Sequence, residues 1–529
     1  MARGPAALCF AACVPDTTPD RDDTVTTRSP QEDTMFEAAE IGNKLSKGEF
    51  KRIEPQLRTD LLDAQYALSK NAKFPVIILI SGVRGAGKGE TVNLLIEWMD
   101  PRHIHTHAFD NPTDEERDRP PMWRYWRALP PKGKIGMLFG SWYTAPIIER
   151  VFKRSRSSDL AQSVDEICRF ERMLADDGAL LLKFWFHLSK KRQSDRLKAL
   201  QADPKTRWRV TERDWDFFKY YDRFYRISED TLQKTSMAWS PWTVVEGSDP
   251  EYRVATVART LLAAMRAHLA ASGAKTESLP LAAAPPLVPV APGKDLLSQL
   301  DLSPSLPKKR YDSELRKQQQ RLALLTRHPK FREHTVIAVF EGMDAAGKGG
   351  AIRRITGAID ARLYRTIPIA APSDEERAQP YLWRFWRHVP MKGRFTIYDR
   401  SWYGRVLVER VEKFASQASW SRAYSEINDF EEQLTHNGGI VVKYWMQISK
   451  DEQHRRFKER EATLHKQFKI TAEDWRNRRQ WAGYQLAAAE MVARTSSSIA
   501  PWALVPSNDK YYGRIQVITT LCDRIEKML

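Results

Sequence analysis

The chain has 529 residues, 29% of them charged and 42% hydrophobic, which is long enough for two or three domains with cores of their own and ordinary for globular protein. No window reaches the roughly 18 apolar residues that a membrane span needs, which argues against an integral membrane protein. Lys and Arg outnumber Asp and Glu by 84 to 67, and that net charge of +17 calls for a polyanionic partner: nucleic acid, an anionic membrane or a phosphate polymer.

The first 35 residues read as a disordered extension. MARGPAALCFAACVPDTT is faintly signal-like, but its apolar run is short and breaks at Pro15 and Asp16, which argues against secretion. Met35 is a second candidate start. The four cysteines, Cys9, Cys13, Cys168 and Cys522, form no plausible metal cluster and suit a reducing compartment, so a cytoplasmic location is expected.

A helical stretch opens the first domain, placed at 36–270. The apolar run FPVIILI (74–80) follows, then GVRGAGKGE (82–90), then helix-like TVNLLIEWM. Further on come DEER (114–117), WRYWR (123–127), SWY (141–143), LLKFWFHLSK (181–190), Asp214-Trp215 and SPW (240–242). A Pro- and Ala-rich stretch, 277–309, then reads as a semi-extended linker, with the boundary segment set at 271–304. In the second domain, 305–529, the same series returns in the same register. Lys88 and Lys348 lie 260 positions apart, and so do the paired DEER, WRFWR, SWY, VVKYWMQISK, Asp474-Trp475 and APW motifs. A gapless repeat of this length is a duplicated domain. Buried-type strands at 335–341, 394–400 and 439–448, separated by helical patterns, predict a doubly wound α/β domain with a parallel sheet, built in tandem.

The loop Gly342–Gly349 satisfies G-x-x-x-x-G-K. Its glycines let backbone N–H groups of Gly342, Ala345, Ala346, Gly347, Gly349 and Gly350 close around phosphate oxygens, and Lys348 reaches the outer phosphates. The Ser or Thr that usually follows the lysine and ligates Mg²⁺ is Gly349 here. Oxygen ligands must then come from elsewhere, and Asp344 in the loop and Asp399 at the end of FTIYDR are the suppliers expected. Arg400 is placed to clamp the transferring phosphoryl group. The first copy has Arg84, Phe139 and Gly140 at these three positions while keeping Lys88, so it lacks the metal site and is expected to do no chemistry.

These motifs, GMDAAGKGG, the run DEERAQPYLWRFWRHVPMKGRFTIYDRSWYGRVLVER and the basic stretch after VVKYWMQISK, resemble the polyphosphate kinase 2 family. The resemblance spans about 36–529. It implies a P-loop kinase fold similar to thymidylate kinase and Mg²⁺-dependent phosphoryl transfer between inorganic polyphosphate and nucleotides. The fused two-domain form resembles members that make ADP from AMP and polyphosphate in the C-terminal copy. The family's roles map onto Asp344, Lys348, Asp399 and Arg400. Arg405 is expected to bind phosphate as well; many members have Asn where this chain has Gly404, just before it, which leaves that position's role open.

The densely charged segment 450–475 reads as a helical lid, with Arg455 and Arg456 among six cations that would guide a polyanion; a solvated helix with internal ion pairs is the plain alternative. Arg384 and Arg387 of WRFWR share a helix face and are candidates for nucleotide contact, although the first copy keeps the pattern, which favours structure. The partners expected are polyphosphate and AMP, with no nucleic acid and no membrane; homo-oligomerisation stays open. Nucleoside diphosphates as acceptors, and a non-enzymatic polyanion-binding scaffold, are the alternatives.

Overall fold

The computed structural model describes residues 35–273 and 295–529. The N-terminal extension and most of the linker therefore lie outside the described residues. The linker reading is corrected at its end: Lys308 and Lys309 already belong to the helix Lys308–Leu325, entered from Pro307, whose fixed φ suits a helix start.

Each copy forms a five-stranded parallel sheet flanked by helices. The first contains β1 (Val76–Gly82), β2 (Ile104–Ala108), β3 (Ile135–Phe139), β4 (Leu180–His187) and β5 (Trp242–Glu246), in the order β2-β3-β1-β4-β5. The second contains β6 (Thr335–Gly342), β7 (Tyr364–Pro368), β8 (Phe395–Asp399), β9 (Gly439–Gln447) and β10 (Trp502–Pro506), in the equivalent order β7-β8-β6-β9-β10. The central strands β1 and β6 are buried on both faces, which is why they read as unbroken apolar runs. The edge strands β2 and β7 are mostly exposed and lack that signal.

The SWY motif and the lysine of the VVKYW strand are explained by one buried cluster. Lys443 Nζ donates to Glu431 Oε2 at 2.7 Å, to the Tyr403 hydroxyl and to the Thr495 carbonyl, and Trp402 Nε1 donates to the same glutamate. The first copy repeats it with Lys183, Glu171, Tyr143, Thr235 and Trp142. Both partners of each pair are fully buried and hydrogen-bonded, as a buried charge requires.

The two copies pack through equivalent surfaces. Trp126 stacks on its counterpart Trp386 with centroids 5.6 Å apart. Arg119 Nε donates to the Val389 carbonyl, and reciprocally Gln379 Nε2 donates to the Leu129 carbonyl. Arg169 pairs with its own counterpart, Asp429, at 3.1 Å. Contacts between the same positions in both directions describe a pseudo-twofold axis, the geometry of an isologous interface.

Candidate active site

The P-loop connects β6 to the helix Lys348–Thr356 at the C-terminal edge of the sheet, where open α/β sheets bind ligands. Gly342 must be glycine: a Cβ there would lie 2.3 Å from the Met446 carbonyl oxygen on β9. The parallel register pairs Phe340 with Asp399, which delivers the end of β8 beside the loop.

The loop, Asp344, Lys348, Arg353, Asp399, Arg400, Arg460 and Asp474 line one open cleft of about 390 Å³. Arg400 Nη2 donates to Asp344 Oδ1 at 3.0 Å, and Asn477 Nδ2 donates to Asp344 Oδ2 at 2.9 Å. Lys348 Nζ folds onto the Gly342 carbonyl at 2.7 Å. Burial and the neighbouring Arg400 push the lysine's pKa down, while Asp344, Asp399 and Glu341 pull it back. Arg400 is held charged: its burial is outweighed by Asp344, Glu341 and Asp399, and its pKa lies above the usual value. Two residues here adopt the left-handed backbone that disfavours a Cβ, Ala345 at φ +64° and Arg400 at φ +65°. Such strain clusters at working sites.

Glu341, one residue before the loop, escaped the sequence reading. It is buried, accepts from Ser401 Oγ at 2.8 Å, and so ties the residue after Arg400 to the strand that bears the loop. Burial raises its pKa, opposed by Lys348 and the Ser401 hydrogen bond. Arg460, one of the six lid cations expected from the sequence, does line the cleft, whereas Arg353, Asp474 and Asn477 were missed. Comparing the copies could have found Glu341, Arg353 and Asn477, because the first copy has Ser81, Asn93 and Phe217 at these positions.

Other expectations shift. Arg456 does not face the cleft. It is buried beneath the loop, donating to the carbonyls of Ala345, Ala346, Ser507 and Asn508 and to Glu452, so its guanidinium holds the loop's shape rather than a phosphate. Arg455, one residue along the helix, points outward and pairs with Glu452 and Glu459. Segment 450–475 is not one helix. It divides into Lys450–Ala462, a 3₁₀ stretch Leu464–Lys469 and the start of Ala472–Arg479. Arg405 turns away to pair with Glu409 and stacks 4.3 Å over Tyr381. Arg384 and Arg387 are engaged by Glu376 and Glu375 of DEER, and Arg387 also lies over Trp383. The first copy repeats the arrangement with Arg124 on Glu116 and Arg127 over Trp123. The WRFWR helix therefore serves the interface between copies.

In the first copy the loop keeps its shape, with Lys88 Nζ on the Gly82 carbonyl at 2.7 Å, but its surroundings are closed by cations. Arg84 pairs with Asp214 at 2.5 Å and covers the Phe217 ring, and Arg253 packs against Gly87 and bonds Thr91 and Glu90. With burial and Arg84 against it and only Asp214 in favour, the Lys88 pKa falls to about 7.

A model of the polyphosphate kinase 2 domain matches residues 44–272 and again 305–529. The chain belongs to the polyphosphate kinase 2 family. It is 54% identical over 492 residues to a polyphosphate:AMP phosphotransferase of Pseudomonas aeruginosa, covering 93% of this chain and 99% of that one. An ADP-polyphosphate phosphotransferase of the same organism is 37% identical but aligns with only 43% of this chain, over 75% of its own length. A crystal structure described as polyphosphate kinase 2 from P. aeruginosa superposes with a TM-score of 0.84 at 51% identity, covering 93% of this chain and 99% of that one. The polyphosphate kinase 2 family consists of P-loop kinases, so the chain is a phosphotransferase with this fold duplicated in tandem. Among the described residues no helix is long and apolar enough to cross a membrane.

Proposed function

We propose that the C-terminal copy transfers the terminal phosphoryl group of inorganic polyphosphate to AMP, giving ADP. The observation that supports this reading most is the asymmetry of the two loops: both cradle phosphate by shape, but only the second places Asp344, Asp399 and Arg400 in its cleft. Relatives matched along almost the whole chain, including the degenerate copy, are named for AMP. Those named for nucleoside diphosphates align with less than half of it. The working domains are taken as 36–270 and 305–529, and the location as cytoplasmic.

Phosphoryl transfer asks for alignment and charge compensation rather than covalent chemistry. The loop's backbone N–H groups and Lys348 hold the donor phosphates, and Arg400 spans oxygens of the group in flight. Ser401 and Glu341 hold the Arg400 turn. Among the described residues no group of three His, Cys, Asp or Glu side chains could hold a metal. Two carboxylates with phosphate oxygens and waters completing the shell is nonetheless how Mg²⁺ is usually held. Outside its own turn of helix, the atom nearest to where a Gly349 side chain would begin is Asp399 Oδ2, at 4.0 Å, so an acidic oxygen faces the place vacated by the usual hydroxyl. Asp344 and Asp399 would hold the ion, which would offset charge on the phosphates. Purified protein given Mg²⁺ and polyphosphate should form ADP rapidly from AMP. ATP formation from ADP alone would replace this reading with the diphosphate one, and no turnover with either acceptor would leave only a scaffold.

A further inference from the structure

We propose that Asn477, braced by Tyr484 and Glu412, is a positioning residue that keys the lid to the Asp344 carboxylate, an inference that rests on the reading of Asp344 as a working carboxylate. Asn477 lies on Ala472–Arg479 and is 9% exposed. Its amide is used in two senses. Nδ2 donates to Asp344 Oδ2 at 2.9 Å, and Oδ1 stands 3.4 Å from the Tyr484 hydroxyl, which fixes the amide's orientation. The same hydroxyl lies 3.4 Å from Glu412 Oε1, so its single proton is shared between two acceptors. Gln480 Nε2 donates to that glutamate oxygen at 3.1 Å, and Arg476 Nε lies 3.3 Å from the other.

The duplicated copy is an internal control. At the four positions of Asn477, Tyr484, Glu412 and Gln480 it has Phe217, Phe224, Phe152 and Tyr220. Phe152 packs edge-on against Phe217 at 5.2 Å and Tyr220 at 5.0 Å, so rings alone suffice to seat a lid of this shape. Contacts to the loop backbone persist in both copies: Gln453 Nε2 donates to the Asp344 carbonyl, and Gln193 Nε2 to the Arg84 carbonyl. The helix cap Thr471–Asp474 persists as Thr211–Asp214. The contacts to the side chain of residue 344 differ: in the first copy the lid meets Arg84 with the Asp214 carboxylate and the Phe217 ring, whereas in the second it meets the Asp344 carboxylate with the Asn477 amide. With Arg400 on one oxygen and Asn477 on the other, the plane of the Asp344 carboxylate is set, and each oxygen keeps a lone pair for a cation or phosphate partner. Because one donor rides on the lid, the carboxylate is fully oriented when the lid is seated.

The test uses the full chain with Asn477→Ala, Asn477→Asp, Tyr484→Phe and, as reference, Asp344→Ala. Positioning predicts that Asn477→Ala lowers kcat by about 10- to 100-fold with the KM for AMP nearly unchanged. Backbone amide exchange should accelerate over residues 472–479 and not elsewhere. Asn477→Asp has the same size but sets carboxylate against carboxylate, so it should lose more than Asn477→Ala. Tyr484→Phe, which removes one oxygen and keeps the ring, should lower kcat by about two- to fivefold. If Asp344→Ala abolishes turnover while the Asn477 and Tyr484 variants stay within about twofold of wild type, the positioning role is wrong and the function stands. If Asn477→Asp restores what Asn477→Ala loses, volume alone matters and the proposal fails. Full turnover in Asp344→Ala would instead overturn the reading beneath it.

Discussion

Arg400 offers a test in which stability and activity should part company. Its backbone sits at φ +65°, and the first copy places Gly140 at the same point with φ +66°. A side chain held in this region costs about 1–2 kcal/mol. Against that relief, glycine adds unfolded-state freedom worth about 0.4–1 kcal/mol. Arg400→Gly and Arg400→Ala both lose the guanidinium and its pairing with Asp344, a 43%-exposed to 14%-exposed pair worth at most about 1 kcal/mol. That loss cancels when the two variants are compared. Arg400→Gly should therefore be more stable than Arg400→Ala by about 0.5–1 kcal/mol, the reverse of the order at an ordinary extended or helical position. Urea denaturation of both variants, followed by circular dichroism, reads the difference as a shift in midpoint. ADP formation should fall in both by a factor on the order of 10³ or more, as expected for an arginine that compensates charge on a transferring phosphoryl group. An alanine variant at least as stable as the glycine variant would refute the strain argument. Near-normal turnover in either would remove Arg400 from the chemistry.

Asp344→Ala and Asp399→Ala should each abolish ADP formation in a coupled assay, whereas Lys88→Ala should change it by less than about twofold, because the first loop lacks both carboxylates. Lys443→Met leaves Glu431 buried without its counter-charge and should cost about 3–5 kcal/mol in chemical denaturation, as should Lys183→Met in the first copy. Between the copies, burial pushes Glu426 up to about 7, with Arg422 opposing and Asp177 of the first copy adding to the rise. The folded state thus binds this proton more tightly than the unfolded chain. The stability it contributes is present below about pH 4.5 and declines as pH rises towards 7. Asp429, raised to about 6 chiefly by burial, acts in the same direction. Glu426→Gln should flatten the fall in unfolding free energy across that window, and an unchanged slope would show that the group does not titrate there.

The fold was legible where residues are buried on both faces. Strands β1, β6, β8 and β9 announce themselves as apolar runs, and the repeat of 260 positions carries the assignment from one copy to the other. The short strands β2, β5, β7 and β10 did not: exposed positions interrupt β2 and β7, and β5 and β10 are five residues long with two partly exposed. Asp344, Lys348, Asp399 and Arg400, which the structure brings into one cleft, were reachable from motif chemistry because each type has an expected task beside a phosphate loop. Arg456 was misread, since a cation near a phosphate loop in sequence says nothing about which face of its helix it occupies. Here the helix turns Arg455 to solvent and Arg456 under the loop. Glu341 and Asn477 differ between the copies, which marks them, but they contact a neighbouring side chain, and the sequence does not say which neighbour.

The division between what the copies share and where they differ is itself a physical result. The buried Lys–Glu–Tyr–Trp cluster and the DEER ion pairs are present twice, and each copy supplies one of the two stacked tryptophans. All of these lie in the core or at the interface, where a loss would cost several kcal/mol or separate the halves. The differences gather at the mouth of the loop. There the first copy replaces acids and a strained arginine with Arg84, Phe139 and Gly140, and Arg253 presses on the loop from behind. A phosphate entering the first loop would compete with Asp214 for Arg84 and find Lys88 with its pKa drawn towards neutrality. The contacts of this copy with the second lie elsewhere: Trp126 stacks on Trp386, and Asp177 and Arg169 are set against Arg422 and Asp429. The first copy thus meets the second through the face it buries rather than through the loop it keeps.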